Sequence, residues 1–561
     1  MSKDKKKVSR REFLVGGGAV IAAGAVSAAA PLAAAAAHKK EEWSPKRWHY
    51  NADVIVVGYG GAGIVAAVTA AENGAKVICL EKAIHRGGGN TSVNLGEFVC
   101  PTSKEDAIAY LTAACKGGNV QSNTPDDVIE AWAEEVCKNK AFYDRMGMSY
   151  EPTASGSIER YNPGYPNLPG ASSMRYFRID GLGEGWFAIM SEHIKRLGIK
   201  VIFGARAKEL IQNPNTKEIL GVRADKIVGG YGNERVAGEF VVRANRGVVM
   251  TTGGMENNEK LKEMFHKAYP TQYYGWRLNT GDGVAMCQKA GADIWHMDVM
   301  CGGANACFVD VDPYYNFQMK VNPRVRNYIY VDRFGRRFMP EDARVPGHSG
   351  YIMLSKWEED QCKWAVPPYW VVFDKTVIQA GPMGEVPGIP YMRGLMVIPE
   401  DIGGWPEGWS EDNQREIERG WIRKGSSIEE LASVMRTTEF GKDIDTENLV
   451  TSLSRYNGFC GSGVDEDFGR SAETLLPITN PPYYAFPRTL GGITAHGGAR
   501  RGPNAEVLTP DMKPIPRLFS AGSFGSVYGM TYSVTGGNGG ELAAFGRISG
   551  RNAAAGKRWK P

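Results

Sequence analysis

The strongest constraint on the fold lies near the start of the chain. A short apolar run, Asp53-Val54-Ile55-Val56-Val57, passes directly into Gly58-Tyr59-Gly60-Gly61-Ala62-Gly63. Ile64 to Asn73 then reads as a helix of small residues, and Val77-Ile78-Cys79-Leu80 as a second strand ending at Glu81. Strand, Gly-x-Gly-x-x-Gly turn, helix, strand and acid in about 30 residues is the pattern of a dinucleotide cradle. Gly58 makes the turn and Gly60 lets the backbone approach a pyrophosphate. Gly63 brings the helix against the strand, so that the amides around Gly61 and Ala62 and the helix dipole face the phosphates. Glu81 is placed to accept hydrogen bonds from an adenosine ribose. An acid there favours a free 2′-hydroxyl, hence FAD or NAD over NADP.

The charge balance excludes other classes. The 66 Lys and Arg residues against 62 Asp and Glu give a net +4. Six of those bases and only two of the acids fall in residues 1–37, so the remainder carries sixty of each. A neutral body disfavours a nucleic-acid-binding protein, and 43% hydrophobic residues disfavour disorder. The basic segment, Ser9-Arg10-Arg11-Glu12-Phe13-Leu14 followed by Val15 to Ala36, resembles a twin-arginine export signal. Ala35-Ala36-Ala37 offers small residues for cleavage. The expectation is export to the periplasm or cell exterior, with a membrane role only if the signal stays attached as an anchor. Nine scattered cysteines without a Cys-x-x-Cys pair argue against c-type haem, zinc or iron–sulfur ligation, so no metal is expected.

Beyond Glu81-Lys82 the chain continues through Gly87-Gly88-Gly89-Asn90-Thr91-Ser92, and later through Thr251-Thr252-Gly253-Gly254 and Thr280-Gly281-Asp282-Gly283. Ile329-Tyr330-Val331 precedes Gly335-Arg336-Arg337-Phe338, and Phe519-Ser520-Ala521-Gly522 and Phe545-Gly546-Arg547 follow near the end. In this order the motifs resemble the flavoprotein family of fumarate reductases and 3-ketosteroid Δ1-dehydrogenases. The resemblance implies an α/β fold: a Rossmann-like FAD-binding domain in two discontinuous parts, 50–291 and 482–561, with an inserted α+β capping domain at 292–481. It implies FAD held by the residues already named and by Lys82, Gly88, Gly89, Asn90, Thr91, Ser92, Ala207, Thr252, Gly253, Gly254, Asp282, Gly522, Gly537 and Leu542. The family's covalent FAD hangs on a His in the early glycine segment. None stands here, so the FAD is expected to be non-covalent. Without haem or FMN domains, electrons would pass to or from a separate partner, a quinone or cytochrome.

The resemblance also separates two chemistries. Fumarate reductases carry an acid Arg, a His and a carboxylate-clamping Arg where this chain has Ile378, Thr494 and Ser533. Glu341 and Arg344 fall where those enzymes have a proton relay, and a surface ion pair is the alternative reading. The turn Gly529-Met530-Thr531-Tyr532-Ser533-Val534-Thr535-Gly536 is instead similar to that of ketosteroid dehydrogenases, whose Tyr hydroxyl and Gly N–H hold the substrate carbonyl. Tyr532 and Gly536 take those places. For moving the α-proton, Tyr351, His348 and Tyr165 are the candidates. The expected reaction adds or removes hydrogens across a C–C bond next to a carbonyl of a neutral, hydrophobic cyclic ketone or enone. The alternatives are a reductase of an unsaturated acid, with Arg344 or Arg500 as clamp, and a flavin electron-transfer subunit.

Overall fold

Tyr50–Val57 forms a strand whose residues from Ala52 onward are buried, as a continuous apolar run at the centre of a parallel sheet must be. The computed structural model describes residues 43–116, 124–152, 165–343, 350–384, 407–529 and 532–559; the basic segment 1–37, Arg344 and His348 lie outside them. The sheet runs in the order Glu506–Leu508, Pro514–Ser520, Arg235–Met250, Tyr50–Val57, Val77–Leu80 and Lys200–Ile202, and Ala205–Gln212 and Ile219–Val228 extend it beside Arg235–Met250. The four pairings around Tyr50–Val57, from Pro514–Ser520 to Lys200–Ile202, are parallel. A strand from the end of the chain therefore completes a sheet begun at its start.

The helix Gly61–Glu72 is buried from Gly61 to Thr69 and at Ala70, which explains its glycines, alanines and valines. It lies against the C-terminal helix Gly537–Ala555, where a Cβ on Gly550 would stand 2.4 Å from the Ala66 carbonyl oxygen and one on Gly546 2.8 Å from the Val65 Cβ. A small antiparallel sheet, Glu97–Val99 with Tyr176–Ile179 and Tyr150–Pro152, packs beside these helices.

The second large sheet is built around Tyr483–Gly492, flanked by Ala304–Cys307 and Tyr369–Asp374, with Gln318–Met319 and Tyr328–Val331 outside them. Thr271–Tyr273 and Arg423–Gly425 also pair with the central strand. This sheet-rich capping region takes strands from either side of the expected 292–481 segment. Residues 47–561 form one compact unit. Ile428–Arg436 forms an amphipathic helix, with the Ser427 hydroxyl accepting from Glu430 N–H at 3.2 Å. None of the nine cysteines is in a disulfide, and six of them are buried. Among the described residues no helix is long and apolar enough to cross a membrane, and no cluster suited to a metal is present.

Glu341 is neither a surface ion pair nor a free acid. Its carboxylate bonds Arg337 at 2.7 Å and Arg470 at 3.0 Å, and Arg337 also reaches Asp465 at 2.8 Å. All four side chains are at most 3% exposed. Arg470 goes on to the Tyr328 and Arg326 carbonyls. This balanced network ties the loop 465–470 to the edge of the second sheet. Removing one member strands charges in the interior, which costs about 3–5 kcal/mol. Arg337→Met is therefore expected to cut stability by about that amount, read as a large fall in the thermal midpoint.

Candidate active site

The turn after the first strand opens onto a cleft with about 1510 Å³ of unfilled space, part of it open to solvent. Two of its glycines are required by the protein itself: a Cβ on Gly58 would stand 2.3 Å from the Thr251 carbonyl oxygen, and one on Gly63 2.1 Å from that of Gly58. Gly60 differs. Its φ is −92°, open to any residue, and a Cβ there would meet nothing closer than the Gly88 carbonyl at 3.6 Å. The protein leaves that space, so its use is for a ligand whose backbone contact a side chain would block. Glu81 lies beside it, with Oε2 accepting from Tyr59 N–H (2.9 Å) and Oε1 from Ala83 N–H (2.8 Å). Burial pushes this carboxyl above the ordinary glutamate value, against the pull of those amides.

The second glycine segment packs over the first. Thr91 Oγ1 accepts from Gly61 N–H at 3.2 Å. Lys82 bonds Thr280 Oγ1 (2.6 Å) and Asp282 Oδ2 (2.8 Å). Asn90 is fixed at both ends: its amide donates to Glu256 Oε1 at 2.7 Å and its oxygen accepts from Trp276 N–H at 2.5 Å.

At the other end of the cleft stands Tyr532, 4% exposed. Its hydroxyl accepts from the Asn538 N–H at 2.8 Å, and the Asn538 side chain meets His496 Nε2 at 2.7 Å. The His496 ring lies 5.2 Å from the Tyr532 ring. Gly536, at φ 64°, caps the C-terminal helix, and a Cβ on it would press on Phe98 at 2.9 Å. Cys301 and Lys320 also face this space, and the Lys320 ammonium lies 5.2 Å from the centre of the Tyr274 ring. The Tyr532 hydroxyl interacts with the Cys301 thiol, and Tyr351 is close to that thiol, to the Met300 backbone and to Tyr165. Burial raises the Tyr532 and Tyr351 phenols well above the usual tyrosine value.

Of the expected residues, Gly58, Gly60, Gly61, Ala62, Glu81, Lys82, Gly89, Asn90, Thr91, Ala207, Thr252, Gly253, Asp282, Gly522, Leu542, Tyr532 and Gly536 line this one cleft. Gly63, Gly88, Ser92, Gly254 and Gly537 stand behind it. Ser92 Oγ caps the Gly89 carbonyl at 3.1 Å, and Cβ atoms on Gly254 and Gly537 would collide with Ala495 and Tyr528. Tyr351 is buried next to Cys301, and the Tyr165 N–H donates to the Tyr110 hydroxyl at 3.2 Å.

The family model described as "FAD binding domain" matches residues 53–539. The chain belongs to this FAD-binding family. It is similar to a 3-oxosteroid 1-dehydrogenase of Mycolicibacterium smegmatis, 24% identical over 90% of this chain and 97% of that protein. It is also similar to a probable fumarate reductase, Ifc3, of Shewanella frigidimarina, 26% identical over 89% of this chain and 74% of that one. Among solved structures, the fold matches a 3-ketosteroid Δ1-dehydrogenase from Sterolibacterium denitrificans in complex with 1,4-androstadiene-3,17-dione, with a TM-score of 0.69, 21% identity and coverage of 90% of this chain and 99% of that one.

The protein is thus an FAD-dependent oxidoreductase acting on a small molecule, and the residues present fit its cofactor. The room at Gly60, the amides of Gly61 and Ala62 and the buried Glu81 are what a dinucleotide needs. Sequence reasoning missed Glu256, Asn279, Cys301, Lys320 and Asn538. Only Glu256 and Asn538 had a signal, each two residues beyond an expected glycine. Gly60→Ala is expected to leave the thermal midpoint of the FAD-free protein unchanged and to abolish FAD retention. Gly63→Ala should lower the midpoint of that same form, by overpacking worth about 1–3 kcal/mol.

Proposed function

We propose that the protein adds or removes hydrogens across a C–C bond next to the carbonyl of a neutral, hydrophobic cyclic ketone or enone. The observation that carries this is Tyr532 on the wall of the FAD cleft, its oxygen held by the Asn538 N–H and its hydroxyl in contact with Cys301, with Tyr351 close behind that thiol. The relatives named as steroid dehydrogenases support the same substrate class. Bound FAD supplies a hydride acceptor or donor. Tyr532 holds the substrate carbonyl oxygen, and the Gly536 N–H, at the positive end of the C-terminal helix, adds a second donor. The Asn538 N–H bonded to the Tyr532 oxygen fixes the ring, and a substrate oxygen takes the phenol proton in place of the Cys301 thiol. Tyr351 moves the α-proton, with Tyr165 beside it.

The three positions that serve a carboxylate in fumarate reductases support this reading. Ile378 packs against an apolar cluster of the second sheet. Thr494 lines the cleft with its hydroxyl donated to the Ala495 carbonyl. Ser533 is fully buried, its carbonyl accepting from Tyr110 at 2.8 Å. Arg500, the alternative clamp, is held by Asp293 at 2.6 Å and stacks on Trp295. Lys320 is the observation that favours the second reading, reduction of an unsaturated acid.

Residues 1–37 carry the protein through the twin-arginine route to the periplasm or exterior, and a quinone or cytochrome exchanges electrons with it. The pattern around Arg10-Arg11 supports the export route, and the need of bound FAD for an electron source or sink besides the substrate supports the partner. The segment 292–481 closes over the substrate.

Dithionite-reduced protein mixed with enones and with enoates decides the class: reoxidation by enones alone is expected, and reoxidation by enoates alone overturns the reading. Tyr532→Phe should lower turnover at least about tenfold with FAD still bound. Phenols held protonated by burial donate readily and accept only when ionised. Hydrogenation should therefore stay flat from roughly pH 6 to 9, while dehydrogenation rises with pH. Matched pH–rate profiles in the two directions check this.

A further inference from the structure

One carboxyl group beside the cleft has no part in the chemistry above. Glu256 follows Gly253-Gly254-Met255 and is 1% exposed. Its Oε1 accepts from two amides, Asn90 Nδ2 at 2.7 Å and Asn279 Nδ2 at 2.9 Å. Both asparagines line the FAD cleft. Asn279 presses on Gly253, where a Cβ would stand 2.7 Å from its oxygen, and Asn90 is pinned from the other side by Trp276 N–H. The carboxyl group therefore sets the direction of two amides at the cofactor's wall.

Its other oxygen is different. Oε2 is buried without a hydrogen-bond partner among the described residues. Together with the Ala495 carbonyl oxygen it flanks Gly254, each 2.3 Å from where a Cβ would be. The Thr494 hydroxyl donates to the Ala495 carbonyl at 3.0 Å and also lies within reach of the Glu256 carboxyl group, and its one proton cannot serve both. Two acceptor oxygens crowded on one glycine with a single hydroxyl to share favour a proton on the carboxyl group. Burial accordingly pushes Glu256 up to about 7, against the pull of its amide partners. Burial keeps the neighbouring Tyr273 and His266 each in one charge state near neutrality. Tyr273 is a buried phenol raised far above its usual value, and His266, bonded to Tyr273, is pushed down to about 3 by burial. The Arg277 guanidinium is turned to Asn257 and Asn316. Lys82 is paired with Asp282 on the cleft wall.

We propose that Glu256 is a positioning residue that couples the electron affinity of the FAD site to one proton. Neutral, it holds the Asn90 and Asn279 amides in place without charge; ionised, it sets an uncompensated negative charge behind them that opposes electron uptake. As two electrons enter from an external reductant, Glu256 takes one proton from water, and it returns that proton on reoxidation. This rests on the FAD assignment and not on the substrate reading, so the test needs no substrate.

The experiment is a dye-coupled reductive titration of the holoenzyme with dithionite across roughly pH 5.5 to 9, for the wild type and Glu256→Gln. The isosteric amide keeps an acceptor for both asparagines. Below neutrality Glu256 already carries its proton, and the two midpoint-potential curves should run parallel. Above about pH 7 the wild-type potential should fall more steeply than that of Glu256→Gln, by about 30 mV per pH unit, the increment for one proton per two electrons. Parallel curves throughout overturn the proposal. If Glu256→Gln fails to retain FAD, the redox difference infrared spectrum of the wild type near pH 8 decides instead. A carboxylic-acid carbonyl band appearing on reduction supports the coupling, and its absence overturns it.

Discussion

Where the helix Gly61–Glu72 crosses Gly537–Ala555, the two touch almost backbone to backbone. A single added carbon on Gly550 or Gly546 would drive into Ala66 or Val65. Gly61 faces Leu542 of the same partner helix and the Thr91 side chain, with no room for a Cβ against either. This approach brings the N-termini of both helices to one cleft: Gly60 and Gly61 open one, and Gly536 and Asn538 the other. Each N-terminus presents free amides and a partial positive charge. One is suited to the phosphates of the cofactor. The other is suited to negative charge that develops on a substrate oxygen. With larger residues at the crossing the helices would stand further apart, and the two charged ends would no longer share a space.

Buried ion pairs hold that crossing in register. Arg501 bonds Glu541 at 2.6 Å and the Gly522 carbonyl at 2.8 Å, and the same carboxylate accepts from Ser526 and from Val527 N–H. Arg547, one turn and a half further along, bonds Glu135 and Asn139. Such pairs add little net stability relative to an apolar core. Their value is directional, because a shifted helix would leave a guanidinium unpaired. They join the C-terminal helix to the loop after Pro514–Ser520 on one side and to the helix Asp126–Val136 on the other.

The cradle was legible in the sequence because its chemistry is local. Gly58, Gly63 and Glu81 act within one strand–turn–helix–strand unit, and their spacing is dictated by backbone geometry that no distant residue can alter. Tyr532 and Gly536 were legible for the same reason, being four residues apart around one helix start. Lys320, Cys301 and Asn279 were not, since each reaches the cleft from a strand or loop whose position is set by long-range sheet pairing. Tyr483–Gly492 shows how that pairing escapes a linear reading: it forms the central strand of the second sheet by taking partners from residues 271–273, 304–307, 369–374 and 423–425. Glu341 also misled, because its neighbours in sequence do not reveal that Arg470 and Arg337 close over both of its oxygens.

Charge in the substrate end of the cleft is the point on which selectivity turns. The sequence lacks the guanidinium fork that its carboxylate-reducing relatives use, yet the fold brings the Lys320 ammonium into the same space. The two cations are not equivalent. A guanidinium meets a carboxylate with two parallel bonds and fixes its plane, whereas an ammonium is a point charge that any single oxygen satisfies. Next to a Tyr–Asn–His chain that already orients one phenol, a point charge adds polarisation of a carbonyl oxygen without selecting for a second oxygen beside it. The desolvation cost of bringing a carboxylate into a cleft walled by Tyr274, Trp276 and Ile493 must then be met by a point charge instead of a two-pronged fork. A ketone incurs no such cost, and it gains from Lys320 only as negative charge builds on its oxygen, which is where a catalyst benefits most.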